Sequence, residues 1–244
     1  MSIDVQTAPN QVSLLRTELG QALNIGLKHF DVDYLEGKEC ITRTAQGRAE
    51  VYFFNHHQTE LVLRHYYRGG LLGKVNKDWF LYTGIENTRG FLELDVLDFL
   101  RSKNVDVSNA VAARIVRQGM FYRADIMTVA VPHAQELHEM LKLHPVDDEI
   151  WSAIGTALGK LHNLDVRHDD INVKNILIRD NNEVVLIDFD KCQQQPYGNW
   201  KSANIARFYR SLIKQHGLHK PYHFVQSNWE TLELAYNEAT RKNP

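Results

Sequence analysis

The sequence is poor in the features that mark secreted, fibrous and membrane-spanning proteins. Cysteine occurs only at Cys40 and Cys192, so a disulfide framework is not expected and a reducing compartment fits. The 6 prolines and 14 glycines in 244 residues are too few for a collagen-like or disordered chain. No run approaches the roughly 18 apolar residues that span a bilayer, and residues 1–10 lack the basic start and apolar stretch of a secretory signal. We therefore expect a soluble, cytoplasmic protein that can still attach to a membrane surface.

An excess of positive charge is also missing, because 28 lysines and arginines face 30 aspartates and glutamates and leave a net charge of −2. A nucleic-acid-binding protein is normally basic overall, so no nucleic acid is expected as a partner. Hydrophobic residues make up 43% and charged residues 24%, as in ordinary globular proteins. A chain of this length predicts one or two compact units that need no covalent staple.

The apolar pattern changes near Pro132, where a β-rich part gives way to an α-rich part. We therefore expect an α+β protein of two lobes, residues 1–131 and 132–244. In the first lobe a short helix is predicted over residues 12–27. Strand pairs joined by turn residues are predicted over 51–66 and 112–131, with a helix over 88–102 between them.

The second lobe is predicted to contain a strongly amphipathic helix, because Ile150, Ile154, Ala157, Leu158 and Leu161 recur at helical spacing. Two short apolar runs around a polar turn then predict a hairpin over 175–188. The region from about residue 200 onward is predicted to be helical. Side chains that can carry chemistry collect in the loop between the first helix and the hairpin, and at the end of the hairpin.

Three oxygen-bearing side chains stand out in this region. Asp170 and Asn175 are five residues apart on the loop, and Asp188 follows the second hairpin strand, which is a rigid mount for a charged group. Mg²⁺ takes oxygen ligands and few protein carboxylates, so these side chains could surround Mg²⁺ and a reacting hydroxyl. The alternative is that they are ordinary loop residues. A zinc site built from His162 and His168 is another alternative, but it lacks a convincing third soft ligand.

The loop and the hairpin end resemble the kinase signature of a catalytic loop H-R-D-x-x-x-x-N followed by D-F-G. Residues 168–170 (HDD) stand at H-R-D, Asn175 at the final N and residues 188–190 (DFD) at D-F-G. Asn172 stands where a protein-serine kinase usually has lysine, Asp190 replaces the glycine, and no A-P-E follows. The resemblance implies a bilobal protein-kinase-like fold, with a small β-rich N-lobe and a short α-rich C-lobe, and favours a small-molecule substrate over a peptide.

By the same resemblance, the first lobe would hold ATP. Gly47 leads into a strand where a phosphate-covering loop belongs, although a single glycine also fits a plain turn. Val62 and Arg64 share a strand face, like the small residue over adenine and the lysine two positions later in kinases. Arg64 carries the same charge and can fork to phosphate oxygens, although a merely solvated Arg64 is the alternative. Glu93, in the predicted helix, is the preferred partner of Arg64, and Glu86 is the second choice.

Longer stretches are similar to the 3-deoxy-D-manno-octulosonic acid (Kdo) kinase family of Gram-negative bacteria. They are residues 62–74 (VLRHYYRGGLLGK), 78–84 (DWFLYTG), 122–125 (YRAD), 186–191 (LIDFDK) and 200–207 (WKSANIAR). The run L-R-H-Y-x-R-G-G is distinctive, and the resemblance extends over about residues 45 to 214. It implies ATP-dependent phosphorylation of the 4-hydroxyl of Kdo on a lipid A precursor, a step in lipopolysaccharide core assembly.

A basic and aromatic stretch suits such a substrate. Arg68, Lys74 and Lys77 follow Arg64 closely, and aromatic side chains between them can stack on sugar faces or lie at a membrane interface. Kdo carries a carboxylate and the lipid A precursor carries phosphates, and cations match both. The alternative is that the aromatic residues fill the core of the lobe and the cations form a solvated rim.

The resemblance also implies a division of roles among the site residues. Asp170 would accept the proton of the sugar hydroxyl, and Asp188 and Asn175 would hold Mg²⁺ on the triphosphate of ATP. Arg64, steadied by Glu93, would orient phosphate oxygens. No obligate protein partner is expected. A kinase directed at aminoglycosides or proteins is one alternative, and a catalytically silent binding module is another, which the intact acidic set argues against.

A lipid-linked acceptor implies reversible binding to the cytoplasmic face of the inner membrane. Arg207, Arg210 and Lys214 are spaced three and four residues apart, so they would share one face of a helix. Such a basic face can meet anionic headgroups. The alternative is an ordinary helix of the second lobe whose basic face is only solvated.

Overall fold

The computed structural model describes residues 3–46, 50–68 and 77–241. The chain divides into two compact units, Met1–Asp98 with Asn109–Ala130, and Phe99–Ser108 with Val131–Pro244. The break after Ala130 lies beside the boundary expected near Pro132, and residues 99–108 fall in the second unit. Within the described ranges, no helix is both long and apolar enough to cross a membrane. Cys40 and Cys192, both described, form no disulfide.

The first unit is built around an antiparallel sheet. Its strands are β1 (Asp4–Thr7), β2 (Val12–Arg16), β3 (Ile41–Gln46), β4 (Glu50–His56), β5 (Thr59–His65), β6 (Phe80–Leu81), β7 (Ala110–Gln118) and β8 (Phe121–Val129). Their spatial order is β1-β2-β7-β8-β5-β4-β3, and β6 pairs with β8. The strand pairs predicted over 51–66 and 112–131 are confirmed as the antiparallel pairs β4–β5 and β7–β8.

The alternation of side chains along β5 decides which of them enter the core. Leu61 and Leu63 are buried and belong to one apolar cluster with Phe54 and Met127 of the neighbouring strands. Because successive side chains of a strand point to opposite faces, Val62 and Arg64 lie on the other side of the sheet. The predicted division of β5 into a core face and a second face that carries Arg64 is thus confirmed.

Three helices accompany this sheet. Helices α1 (Glu18–Ala22) and α2 (Val32–Gly37) follow β2, and α3 (Arg89–Ser102) follows β6 and confirms the helix predicted over 88–102. Leu94 and Leu97 of α3 are buried, as is the carboxylate-bearing Glu93 beside them. A glutamate in such a position needs partners for its charge, which Arg64 and Tyr66 supply.

The helix predicted over residues 12–27 is wrong for most of its length, because only Glu18–Ala22 (α1) is α-helical in this range. Residues 12–16 form β2, which pairs with β1 on one side and β7 on the other. Thr17 then caps α1, because its hydroxyl accepts a hydrogen bond from the Gly20 amide. The apolar residues of this segment fit either period when read alone. The strand partner from β7 lies about a hundred positions along the chain, and pairing with it selects the strand.

The second unit combines four helices with short strands in its described part. The helices are α4 (Leu137–Leu143), α5 (Asp148–Asn163), α6 (Trp200–Leu218) and α7 (Gln226–Arg241). The strands are β9 (Ala134–Glu136), β10 (Val166–Arg167), β11 (Ile176–Arg179), β12 (Val184–Leu186) and β13 (Gln193–Gln194). They form a sheet in the order β12-β11-β9 and a separate pair, β10-β13. The predicted hairpin over 175–188 is confirmed as β11–β12, and the helical region from about 200 as α6 and α7.

Helix α5 is the central helix of this unit and leads directly into the loop of interest. Ile150, Ile154, Leu158 and Leu161 are buried, so the predicted apolar face is confirmed. Helix α7 packs closely against α5 at Gly155, where an added Cβ would meet backbone atoms of Leu232 and Tyr236. The close approach of the two helix backbones therefore requires glycine at this position.

We expect Gly155→Ala to lower the free energy of unfolding by about 1–3 kcal/mol, because the new methyl group must push α7 away from α5. The measurement is urea unfolding followed by circular dichroism. Gly217→Ala is the matched control, since an added Cβ at Gly217 of α6 meets nothing within 4 Å. The control should be neutral or slightly stabilising, because alanine favours a helix over glycine. Equal stability of wild type and Gly155→Ala would contradict the close packing.

Candidate active site

The loop that follows α5 is anchored by the buried side chain of His168. Its Nε2 donates to the Ile187 carbonyl at 3.0 Å, and its ring packs on Phe189 with the ring centroids 4.7 Å apart. Its backbone carbonyl accepts a hydrogen bond from the side-chain nitrogen Nδ2 of Asn204 at 2.8 Å. The loop is therefore joined through one residue to the end of β12 and to α6.

Two side-chain amides fix the backbone of Asp170. The Asp170 carbonyl accepts from Nδ2 of Asn172 at 2.7 Å and from Nδ2 of Asn175 at 3.0 Å. Asn172 also caps the short 3₁₀ turn Val173–Asn175, because its Oδ1 accepts from the Lys174 amide. Asn172 thus serves the backbone conformation of the loop. The Asp170 carboxylate itself is about half exposed, at 49%.

The segment that carries Asp188 is tied to this loop through its backbone. The Ile187 amide donates to the Asn175 carbonyl at 3.1 Å, and the Ile187 carbonyl accepts from His168. Phe189 on the other side of Asp188 is fully buried. Asp188 itself has a φ of 64°, in the left-handed region that few non-glycine residues adopt. Aspartate is among the side chains that adopt this conformation most readily.

One face of α6 holds the loop at three points. Asn204 donates to the His168 carbonyl, Nη2 of Arg207 contacts Oδ1 of Asp170, and the Ser211 hydroxyl accepts from the Val173 amide at 3.0 Å. These three residues recur at helical spacing, so one side of the helix serves the whole loop. Arg207, expected on a membrane-facing surface, is therefore occupied by the loop. Sequence reasoning assigned none of the three residues to the site, and only the i, i+3, i+7 polar spacing could have indicated them.

His162 and His168 both bond to neighbouring parts of the protein. Nε2 of His162 donates to Oδ1 of Asn204 at 3.1 Å, and Nδ1 accepts from the Tyr236 hydroxyl at 2.8 Å. Burial lowers the pKa of His162 to about 4, against the opposing effect of the Asn204 hydrogen bond. Burial likewise lowers the pKa of His168. In the described part of the chain, no group of three or more His, Cys, Asp or Glu side chains is arranged to hold a metal ion.

In the first unit, Arg64 and Glu93 form a two-point ion pair. Nη2 of Arg64 lies 2.7 Å from Oε1 and 2.9 Å from Oε2 of Glu93. The Tyr66 hydroxyl donates to Oε2 at 2.7 Å, and Glu93 is only 3% exposed while Arg64 is 23% exposed. Glu93, rather than Glu86, is therefore the partner of Arg64. Sequence reasoning did not single out Tyr66 as the third member, although it lies two residues after Arg64, just beyond the end of β5.

The other predicted site residues are placed as follows. Val62 is half-buried on β5 and pairs in register with Phe53 and Thr128. Nε of Arg68 donates to the Trp79 carbonyl at 2.7 Å, so this cation is partly committed to the chain itself. Lys77 is exposed. Gly47 and Lys74 lie outside the described residues.

The loop and the hairpin end offer donor atoms that fit Mg²⁺. The side-chain nitrogen Nδ2 of Asn175 donates to the Asp170 carbonyl. The side-chain oxygen Oδ1 is the atom of this amide that can bind a cation. The carboxylate of Asp188 follows directly on Ile187, whose amide is bonded to Asn175. One carboxylate and one amide oxygen, with phosphate oxygens completing the shell, is the kind of site that Mg²⁺ occupies.

Comparisons with known proteins agree on one family. Residues 33–236 match the Lipopolysaccharide kinase (Kdo/WaaP) family. A 3-deoxy-D-manno-octulosonic acid kinase of Vibrio parahaemolyticus is 39% identical over 76% of this chain and 78% of its own length. The enzyme of the same name from Haemophilus influenzae is 37% identical over 86% of this chain and 90% of its own. A solved structure described as WaaP in complex with acyl carrier protein shares the fold, with a TM-score of 0.60 and 13% identity over 92% of this chain and 88% of that one.

The family match and the named activity of these relatives define the class as a kinase, and the bilobal protein-kinase-like fold expected from the sequence is confirmed. The chain belongs to the lipopolysaccharide kinase (Kdo/WaaP) family. Membership implies use of ATP and kinase activity in lipopolysaccharide core biosynthesis.

Proposed function

We propose that the protein transfers the γ-phosphoryl group of ATP to the 4-hydroxyl of Kdo carried on a lipid A precursor. The observation that carries the proposal is the held loop, in which two amides fix the backbone of Asp170 and leave its carboxylate accessible. The named activity of relatives that are 37% and 39% identical supports Kdo as the sugar. We infer no shared protein partner from the WaaP complex, because a likeness at 13% identity extends to the fold alone.

In the proposed reaction, the oxygen of the sugar hydroxyl bonds to the γ-phosphorus of ATP. The Asp170 carboxylate accepts the proton of that hydroxyl. The bond from that phosphorus to the bridging oxygen breaks, and ADP leaves with the electron pair. Asp188 and Asn175 would hold Mg²⁺, which supplies charge neutralisation on the triphosphate. Arg64, held by Glu93 and Tyr66, would orient phosphate oxygens. Positioning and charge stabilisation account for most of the rate in such reactions.

We expect the purified protein to transfer labelled phosphate from ATP to Kdo-lipid acceptor, and not to an aminoglycoside or casein. Thin-layer chromatography of the products measures this. Asp170→Asn should keep the fold but lose transfer by about 10²–10⁴-fold, since a general base contributes about this much. Activity of Asp170→Asn within threefold of wild type would contradict the assignment of Asp170 as the base. Transfer to casein or aminoglycoside alone would contradict the proposed acceptor.

The matched variant is Asp188→Ala, which removes a proposed metal ligand and leaves the base in place. It should weaken the calorimetric affinity for ATP in the presence of Mg²⁺, whereas Asp170→Asn should leave this affinity close to that of wild type. The contrast separates metal binding from proton transfer. Equal affinity for Mg-ATP in wild type and Asp188→Ala would count against a ligand role for Asp188.

The phosphate-orienting role of Arg64 predicts that its removal slows transfer by about 10²-fold or more, as the loss of one charged donor does in other enzymes. Arg64→Lys should recover only part of the rate, because an ammonium group lacks the fork of the guanidinium. The measurement is turnover at saturating ATP and acceptor. A fully active Arg64→Ala enzyme would show that another cation fills the role.

Arg64→Ala also leaves the buried carboxylate of Glu93 without its guanidinium, which can destabilise the fold by about 3–5 kcal/mol. The control for this effect is the double variant Arg64→Met with Glu93→Gln, which removes both charges while nearly conserving volume. The double variant should melt closer to wild type than Arg64→Ala and remain slow in transfer. A double variant with wild-type turnover would exclude a role for the charge of Arg64.

We also propose reversible attachment to the inner-membrane surface, where a lipid-linked acceptor lies. Arg210 and Lys214 of α6 are exposed, and Ile213 between them is 47% exposed. Basic side chains around an exposed apolar one suit an anionic membrane interface. Each cation near such a surface contributes about 1 kcal/mol at most, so the attachment should be weak and sensitive to salt.

Co-sedimentation with liposomes tests this attachment. Anionic vesicles should bind more protein than neutral ones, and the triple variant Arg210→Ser, Ile213→Ser, Lys214→Ser should bind less. Lys160→Ser is the matched control, because Lys160 is an exposed cation of α5 in the same unit. Binding that ignores salt, or that survives the triple substitution unchanged, would exclude this face as the contact.

A further inference from the structure

The Asp170 carboxylate has a cationic partner that comes from outside its own loop. Nη2 of Arg207, on α6, contacts Oδ1 of Asp170. Asn172, two residues after Asp170 on the loop, is an uncharged side chain that caps a turn and bonds to the loop backbone. A cation beside the carboxylate is therefore supplied by the helix, three residues after the buried Asn204 that fixes the same loop.

Arg207 is not needed to neutralise a buried charge, because both members of its ion pair with Asp170 are exposed to solvent. The Arg207 side chain is 47% exposed and the Asp170 side chain 49% exposed, so water can solvate both charges. An exposed ion pair of this kind adds at most about 1 kcal/mol to stability. The guanidinium has five N–H donors, and a contact through one nitrogen to one carboxylate oxygen leaves donors for a further anion. Stability alone thus gives little reason for this pairing.

The proposed reaction brings an anion to this point. A base that takes a proton from the acceptor hydroxyl is in hydrogen-bond contact with it, and that hydroxyl lies about 3–3.5 Å from the phosphorus it attacks. A guanidinium in contact with the same carboxylate is therefore close to the equatorial oxygens of the phosphoryl group. Charge is spread over these oxygens during transfer, and Arg matches phosphate geometry.

We propose that Arg207 is a catalytic residue: it holds the Asp170 carboxylate through one nitrogen and binds the phosphoryl group in transfer through its other donors. The proposal rests on the proposed function, in which Asp170 is the base for phosphoryl transfer. In this proposal, Arg207 of the second unit supplies a positive charge to the phosphoryl group during transfer. The carboxylate of the sugar acceptor is the competing anion for the same guanidinium.

The first experiment compares Arg207→Ala and Arg207→Lys with wild type in steady-state kinetics, using whichever acceptor the wild type phosphorylates. Arg207→Ala should lower kcat by about 10²–10³-fold with little change in the acceptor KM. Arg207→Lys should recover part of the rate, because it keeps the charge and loses the fork. Arg241→Ala is the matched control, an exposed arginine of α7 in the same unit, and should keep wild-type kcat.

Two kinetic results would overturn the proposal. A raised acceptor KM with unchanged kcat in Arg207→Ala would assign the guanidinium to the acceptor carboxylate. Wild-type kcat and KM in Arg207→Ala would leave Arg207 without a role in the reaction. A melting curve of each variant shows that differences in rate do not come from unfolding.

The second experiment needs no acceptor, so its outcome is independent of the identity of the sugar. Calorimetry in the presence of Mg²⁺ compares binding of ADP alone with binding of ADP and aluminium fluoride, which mimics a phosphoryl group in transfer. Arg207→Ala should keep the affinity for ADP and lose at least about tenfold of the extra affinity for the fluoride complex. An unchanged ratio of the two affinities would overturn the role of Arg207, whereas failure of the wild type to use Kdo-lipid would overturn only the proposed acceptor.

Discussion

The hydrogen bond from the His168 imidazole to the Ile187 carbonyl is the contact on which the candidate active site depends. It joins the loop that carries Asp170 to the strand end that carries Asp188. The imidazole can make this bond as a neutral donor because burial lowers the pKa of His168. The backbone carbonyl of His168 accepts a hydrogen bond from the Asn204 side chain, so α6 also contacts His168. The backbone segments that carry the carboxylates of Asp170 and Asp188 are thus joined to each other and to α6.

In the first unit, an ion pair fixes the charged side chains instead of backbone hydrogen bonds. A buried glutamate is costly unless its oxygens are bonded, and Glu93 receives Arg64 and Tyr66. In return, the glutamate fixes the guanidinium of a long and flexible side chain. Each unit therefore fixes its charged side chains in its own way, the first through an ion pair at a sheet face and the second through backbone hydrogen bonds in a loop.

Much of this arrangement could be predicted because its signals are local. Five-residue spacing placed Asp170 and Asn175 on one loop, and the apolar runs predicted the hairpin that ends beside Asp188. The strand β2 was missed because the segment has no decisive period of its own and one of its two partners, β7, is distant in the chain; the other, β1, is short and precedes it directly. The contact of Arg207 with Asp170 was not predicted for a similar reason. The spacing of Arg207 with Arg210 and Lys214 indicates a shared helix face, but only the fold shows that a loop covers one edge of that face.

The left-handed backbone of Asp188 places two separate demands on a single position in the chain. The conformation, at a φ of 64°, is accessible to glycine, asparagine and aspartate at little cost and to other residues at about 1–2 kcal/mol. Glycine and asparagine satisfy this backbone demand, but neither brings a negative charge. Most other side chains adopt this backbone only at that cost, as Lys191 does at a φ of 64°. Aspartate combines a side chain that tolerates this backbone with a carboxylate, so in its proposed role a substitution of Asp188 affects the local fold as well as metal binding.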